Sequence, residues 1–426
     1  MSEVSIGAIR LPTRRRRALG QEIARKAVFR ILENLAVGSL TLHEGQSSHH
    51  FGEHGGADDI HAEVHVHDQA AYGQLLVGGA IAAGETYMRG CWSSPDLTQV
   101  TRLFCANMAV LQSLDDRQSV AVKLALKAAH FFNRNTRAGS KDNISAHYDL
   151  GNDFFELFLD PTMMYSSAVY SDRKATLEEA SKEKLAELCR QLELRESDHL
   201  VEIGTGWGGM AIFATQNYGC RVTTTTISQE QYEYARKRVR ELGLEDKVTV
   251  LCEDYRNLTG TYDKLVSVEM IEAVGHEFYG EYFRTCSSLL KSDGKMVIQA
   301  ITMADQRYEQ ARDSVDFIKR YIFPGGCLPS VAVIGDHLAR DTDMQMVHLR
   351  DITEDYAMTL ADWRVRFMAR LEDVRAMGFS DEFVRMWEYY LCYCEGGFRE
   401  RVIGTVQLAF AKPDYRFASG DAAAAV

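Results

Sequence analysis

A doubly wound α/β domain preceded by a smaller α+β domain is the fold class this sequence predicts, and three observations predict it. Short apolar runs at His199–Ile203, Arg221–Ile227, Lys247–Cys252, Lys264–Glu269 and Lys295–Ile301 alternate with segments of helical period, as parallel strands joined by right-handed crossovers do. The first run breaks into a glycine-rich turn, HLVEIGTGWGGM over His199–Met210, and helical spacing resumes at once. The chain has 426 residues, more than one ordinary core accommodates, so two domains are expected.

In chain order, residues 1–20 read as a tail and Gln21–Leu35 as an amphipathic helix. Gly38–His43 and Asp59–Asp68 alternate in the strand manner, with Ile60, Ala62, Val64 and Val66 on one face and His61, Glu63, His65 and His67 on the other. Seven of the thirteen histidines fall between His43 and His67. A solvated polar face is the reading preferred there, and no metal is expected, because no cysteine or second ligand cluster completes a site. Gly78–Trp92 runs through small residues into a helix at Asp96–Leu114. Asn133–Ala146 is polar and aperiodic and reads as a hinge. Thr176 and Glu179 form a capping box opening a helix to about Leu194. Gln229–Leu242, Leu360–Met377 and Asp381–Arg401 read as helices, and Thr405–Phe410 as a last strand. The expected division is a first domain at 1–130, a linker at 131–146, a second domain at 147–415 and a disordered tail at 416–426.

Composition is that of a soluble globular protein, 46% hydrophobic and 25% charged, and no apolar run approaches the roughly 18 residues of a membrane span. Nine cysteines without a CxxC pair argue for reduced thiols, and the expected location is the cytoplasm. Net charge is −12, yet residues 1–30 carry eight basic groups against Glu3 and Glu22, an excess of six. Such an arm suits an anionic surface, and a solvated tail reads the charge equally well. Without a basic strip elsewhere, nucleic acid is not an expected partner.

In a doubly wound sheet, ligands sit beyond the carboxyl ends of the strands. Those ends hold Gly204 and Gly206, then Thr226, Ile227, Ser228 and Gln231, then Asp254 and Tyr255, then Glu269 and Glu272, and finally Gln299 and Ile301. A nicotinamide enzyme needs an acid at the end of the second strand, where this chain has Thr226 and Ile227. The spacing G-x-G-x-G-G, with Glu202 inside the strand end, resembles motif I of the S-adenosylmethionine-dependent methyltransferases. A glycine turn of another α/β domain is the rival reading, and Glu269 and Glu272 could be ordinary acids at a helix start.

Five blocks extend the resemblance. HYDLGNDFFELFLDPTMMYSSAVY (His147–Tyr170), Val201–Gly208, VEMIEAVG (Val268–Gly275), RYIFPGGCLPS (Arg320–Ser330) and CEGGFRER (Cys394–Arg401) are similar to the cyclopropane fatty acid synthase family. Gly84–Leu97 resembles full-length bacterial members, which carry an extra lipid-binding domain. The resemblance implies a class I methyltransferase domain that moves a methyl group from S-adenosylmethionine to the cis double bond of an unsaturated phospholipid acyl chain. It implies a carbocation and, on loss of a proton to a bound bicarbonate, a cyclopropane ring. By position, Glu272, Tyr321, Gln299 and the backbone at Ile301 and Ser167 would line that ion, and Cys394 falls on a late family cysteine. Tyr165, Ser166, Glu202, Gly204, Gly206, Gly208, Thr226, Ile227, Gln231, Asp254 and Tyr255 would hold the cofactor.

Phe131, Phe132, Phe154, Phe155, Phe158, Phe317 and Phe323 are candidates for an acyl lining, though such residues are more often core. A homodimer with peripheral contact to the inner face of the membrane is the expected setting. Two positions depart from the family pattern. Tyr-Ser-Cys is here Tyr165-Ser166-Ser167, and the histidine ending strand five is Gln299, which cannot become cationic. Glutamine there resembles relatives that make methylene- or methyl-branched chains, the alternative product. A non-catalytic lipid- or cofactor-binding protein is disfavoured because Glu272, Tyr321 and Cys394 are all present.

Overall fold

A computed structural model describes residues 14–53, 60–110, 112 and 150–416, with side chains from residue 19 onward. The expected linker, Phe131, Phe132 and most of the C-terminal tail lie outside the described residues. The chain divides into two compact units, Met1–Leu124 and Ala125–Val426. No helix among the described residues is long and apolar enough to cross a membrane.

The first unit is built on a four-stranded sheet of β1 (Ser39–Glu44), β2 (Ser47–Gly52), β3 (His61–Val66) and β4 (Trp92–Ser93), in the order β2-β1-β3-β4. Alternation puts Leu40, Leu42, Ala62 and Val64 into the core, at most 9% exposed. The preceding helix is Arg14–Leu32, so it starts inside the basic run assigned to the tail; arginine is a good helix former. Ala70–Met88 is one helix with a non-helical residue at Gly79 (φ 61°, ψ −146°), where glycine tolerates a conformation closed to other residues. The helix expected over Asp96–Leu114 runs Leu97–Ala106, capped by Asp96 accepting from the Gln99 amide at 3.2 Å. Asn107 then reaches back to the chain before β1, accepting from the amides of Ala36 and Val37 at 2.8 and 3.1 Å.

The second unit holds a seven-stranded sheet. Its strands are β5 (His199–Ile203), β6 (Arg221–Thr226), β7 (Val248–Cys252), β8 (Tyr262–Val268), β9 (Leu290–Met303), β10 (Gln345–Asp351) and β11 (Ile403–Ala411), in the order β10-β11-β9-β8-β5-β6-β7. β11 pairs antiparallel with both β9 and β10, and the other pairings are parallel. The order turns back on itself between β5 and β8, which opens a crevice above their carboxyl ends. The capping box at Thr176 forms, opening the helix Leu177–Leu192. β10 was not legible in sequence: it is an edge strand exposed along most of its length, so no apolar alternation marks it. The helix expected over Leu360–Met377 is instead Thr353–Met368 followed by Leu371–Ala376, and Asp381–Arg399 follows.

Candidate active site

At the first strand end the chain turns through Gly204, Gly206 and Gly208, all with positive φ (99°, 50° and 86°). A side chain on each would meet something different. At Gly204 it would press on Met270 and at Gly208 on Ala235, both at 3.3 Å, while at Gly209 it would strike the Thr162 carbonyl at 2.6 Å. Gly206 alone of these faces open space, the backbone surface left bare for a ligand at the helix Gly209–Tyr218. Around it, Thr226 donates to Gln231 Oε1 at 2.8 Å and its hydroxyl accepts from the Ser228 amide at 3.1 Å. Thr226 is thereby buried, and Ile227 beside it is half-buried. Asp254 caps the turn Tyr255–Asn257 and receives Arg256 in two bonds, at 2.9 and 2.5 Å. Tyr255 stacks edge-on against Tyr282.

Deeper in, the Tyr165–Ser167 segment meets the ends of β8 and β9. Glu269 follows β8 with φ 48°, a left-handed conformation rare for a residue with a side chain and costing about 1 kcal/mol. The surroundings hold it there. Its Oε1 accepts from the Ser167 amide at 2.9 Å and from Gln299 Nε2 at 2.7 Å, and its Oε2 accepts from the Tyr356 hydroxyl at 2.8 Å. Gln299 gives its second N–H to the Ser167 carbonyl at 3.0 Å and accepts from Gln407 at 3.0 Å, which in turn accepts from Gln191 at 2.7 Å. One turn on, Glu272 Oε1 accepts from the Ile301 amide at 2.5 Å, while its Oε2 is sealed from solvent and has no hydrogen-bond partner. The Arg320–Ser330 block braces this turn, since the Cys327 amide donates to the Glu272 carbonyl at 2.8 Å. Glu269 and Glu272 lie deep among protein atoms, each keeping a little accessible surface.

Electrostatics follow from that enclosure. Burial, then the neighbouring Glu269, pushes the Glu272 carboxyl up to about 8. Burial raises Glu269 as well, against its three donors and Lys184. Glu202, only 2% exposed, is pushed up to about 8 by burial, opposed by Thr224 and Lys184. Lys184 is fully buried, donates to Ser166 Oγ at 2.7 Å, and burial lowers its ammonium to about 8.

Aromatic rings enclose the approach. Tyr165 lies 5.1 Å from Trp363 and 5.2 Å from Phe155, and its hydroxyl is 2.8 Å from that of Tyr390. Cys394 is within electrostatic reach of Tyr356 and Tyr390. Such faces stabilise a cation in a dry pocket.

The structure therefore brings together Tyr165, Ser166, Ser167, Glu272, Gln299, Ile301 and Cys394, and groups Glu202, Gly204, Gly206, Gly208, Thr226, Ile227, Gln231, Asp254 and Tyr255 along the strand ends. Tyr321 packs against Phe317, with ring centroids 5.0 Å apart, and a further phenol, that of Tyr356, donates to Glu269. Tyr356 carried no sequence signal, being one more aromatic beside a helix start. Lys184 did carry one: it interrupts the apolar face formed by Leu177, Ala180, Leu185, Leu188 and Leu192. Phe154, Phe155 and Phe158 are 0% exposed and are core, whereas Phe323 keeps accessible surface next to Tyr165.

The bicarbonate expected here does not fit these residues. The Ser167 amide already serves Glu269 and the Ile301 amide already serves Glu272. Both donor hydrogens of Gln299 are committed, and a further anion would face two carboxylates.

Residues 135–408 match the family described as mycolic acid cyclopropane synthetase. Over 336 residues the chain is 38% identical to the tuberculostearic acid methyltransferase UfaA1 of Mycobacterium tuberculosis, covering 77% of this chain and 78% of that protein. It is 34% identical over 355 residues to the cyclopropane-fatty-acyl-phospholipid synthase of Escherichia coli K12, covering 82% and 88%. Among solved structures, the cyclopropane synthase MmaA2 of Mycobacterium tuberculosis superposes with a TM-score of 0.60 at 28% identity, over 64% of this chain and 98% of that one. CmaA1, solved with S-adenosylhomocysteine, gives 0.60 at 29% over the same shares.

Proposed function

The chain belongs to the mycolic acid cyclopropane synthetase family and is an S-adenosylmethionine-dependent methyltransferase of the class I fold; on that premise we propose that it methylates the cis double bond of an unsaturated phospholipid acyl chain and uses its own carboxylates to take up the proton. The observation that carries this reading is the Glu269–Glu272 pair beneath the Tyr165–Trp363 rings. S-Adenosylmethionine, when bound over Gly204–Gly208, supplies an electrophilic methyl group. The alkene π pair forms the new carbon–carbon bond, and the resulting cation on the neighbouring carbon faces aromatic rings and carboxylates.

Glu272, in its ionised form, is the acceptor best suited to end the reaction, because it has a single donor and burial makes it a stronger base than an ordinary carboxylate. Glu269, held by three donors, is the weaker base and the electrostatic partner. Ring closure needs the new methyl to lose its proton while the cation still sits on the neighbouring carbon. A 1,2-hydride shift that moves the cation onto the methyl-bearing carbon, followed by loss of a proton from that methyl to a wall-fixed carboxylate, leaves a methylene branch instead, the product we favour. The 38% identity to a tuberculostearic acid methyltransferase supports it. Cyclopropane is the second reading, supported by the 34% relative.

Purified enzyme, S-adenosylmethionine and vesicles of monounsaturated phospholipid, with product lipids resolved by gas chromatography and mass detection, test both. Methyl-labelled but unringed chains support the favoured product, cyclopropane alone overturns it, and no labelled lipid overturns the activity itself. The same assay in buffer freed of carbon dioxide should lose no rate. Membrane contact through the basic arm, and a dimer, complete the proposed setting.

A further inference from the structure

We propose that the first unit carries a binding site for a divalent transition-metal ion of the Zn²⁺ type, formed by His43, Glu63 and His65. Parallel pairing sets β1 and β3 with Thr41 opposite Glu63 and His43 opposite His65, so strand alternation puts His43, Glu63 and His65 on the same polar face. Sequence alone showed only the β3 contribution, because His43 arrives from β1 by pairing with His65 that no local pattern records.

The geometry is that of convergent ligands. Glu63 Oε1 lies 2.9 Å from His65 Nε2 and 3.2 Å from His43 Nε2, and one donor atom from each residue falls within 4.8 Å of the others. Zinc with nitrogen and oxygen donors at about 2.0–2.2 Å in tetrahedral array spaces its ligand atoms by about 3.3 Å. Side-chain adjustments of an ångström or so bring the three atoms onto an ion. The two imidazoles are stacked, with centroids 4.6 Å apart and planes 14° from parallel.

Support lies behind the ligands. His43 Nδ1 is 2.9 Å from Ser48 Oγ on β2. With Nδ1–H donating to that hydroxyl, Nε2 is a bare lone pair directed at a carboxylate oxygen, an approach favourable only with a proton or a cation between them. The three side chains are 28, 38 and 40% exposed, which admits an ion from solution and leaves a coordination position for water. Two histidines and one carboxylate are a donor set suited to zinc and its neighbours, and unsuited to magnesium or calcium. Other histidines on this face are engaged differently, His50 with Thr41 at 3.1 Å and His61 with Ser39 at 3.0 Å, and serve as controls.

The test uses the full-length chain without a histidine tag, stripped with chelator and titrated with ZnCl₂ by calorimetry at neutral pH. One ion per chain is expected, with His43→Gln/His65→Gln abolishing binding and Glu63→Gln weakening it about tenfold or more. His50→Gln/His61→Gln should bind as the parent does. Cobalt substitution should give visible absorption bands in the parent that the His43/His65 variant lacks. Circular dichroism of each variant verifies the fold. No uptake by the folded parent, or equal uptake after loss of His43 and His65, overturns the proposal.

Discussion

Glu269 and Gln299 hold each other in one orientation: Gln299 Nε2 donates to Glu269 Oε1 at 2.7 Å, and the Glu269 backbone amide donates to the Gln299 carbonyl at 2.7 Å. This double tie keeps a glutamate in left-handed backbone and fixes its carboxylate where Ser167 and Tyr356 also reach it.

Glu269→Gly should relieve the backbone strain while leaving three donors around a carboxylate-sized space. We expect a folded protein with turnover reduced at least about tenfold, partly restored by added bicarbonate or formate. Steady-state rates with and without each anion check it. Absence of any anion response would show that the carboxylate is structural.

Glu272→Gln removes the proposed proton acceptor and preserves shape. Turnover should fall by about two orders of magnitude or more, with S-adenosylmethionine affinity by calorimetry nearly unchanged. A variant of parental rate would remove Glu272 from the chemistry.

Stability should depend on pH through the same group. Its folded pKa of about 8 lies above the ordinary carboxylate value, so the stability it contributes is full below about 4.5 and is lost as pH rises through 8. The parent's Tm should therefore drop between pH 6 and 9 by about 2 °C or more beyond the drop in Glu272→Gln. Glu202, raised in the same direction, leaves a residual slope in both.

Gly206→Arg should abolish cofactor binding without unfolding the chain, because a side chain there enters open space and strains only one turn. Gly209→Val, aimed at the Thr162 carbonyl, should instead lower Tm. Calorimetry and thermal melts distinguish the two.

Replacing Arg14–Arg17 with glutamine should weaken sedimentation with anionic liposomes and flatten its salt dependence, at about 1 kcal/mol per basic group near the surface. Equal binding would leave the arm without that role.

What could be read beforehand follows from what local sequence encodes. β5 has the predicted bounds, and β6, β7 and β11 lie within two residues of theirs, because buried strands are short runs of apolar and β-branched residues between turn signals. β9 was harder at its start, where exposed Lys291–Asp293 precede the buried stretch. Glu272, Ile301 and Ser167 were found by position and do converge. Tyr356 escaped notice because its role depends on the helix Thr353–Met368 folding back over β8, a long-range event without a local mark. Gln299 was recognised as a departure, but its partner Gln407 sits on β11, over a hundred residues away, and only the sheet register joins them.

The row of amides from Gln191 through Gln407 to Gln299 has a further effect on the reaction's housekeeping. Carboxamides pass hydrogen bonds along but do not exchange charge, so this row is an insulating brace behind the carboxylates. A proton on the carboxylates has no path along this row towards the Leu177–Leu192 helix. Recharging the proposed base therefore depends on the groups on its other side, among them the Tyr356 phenol bound to Glu269.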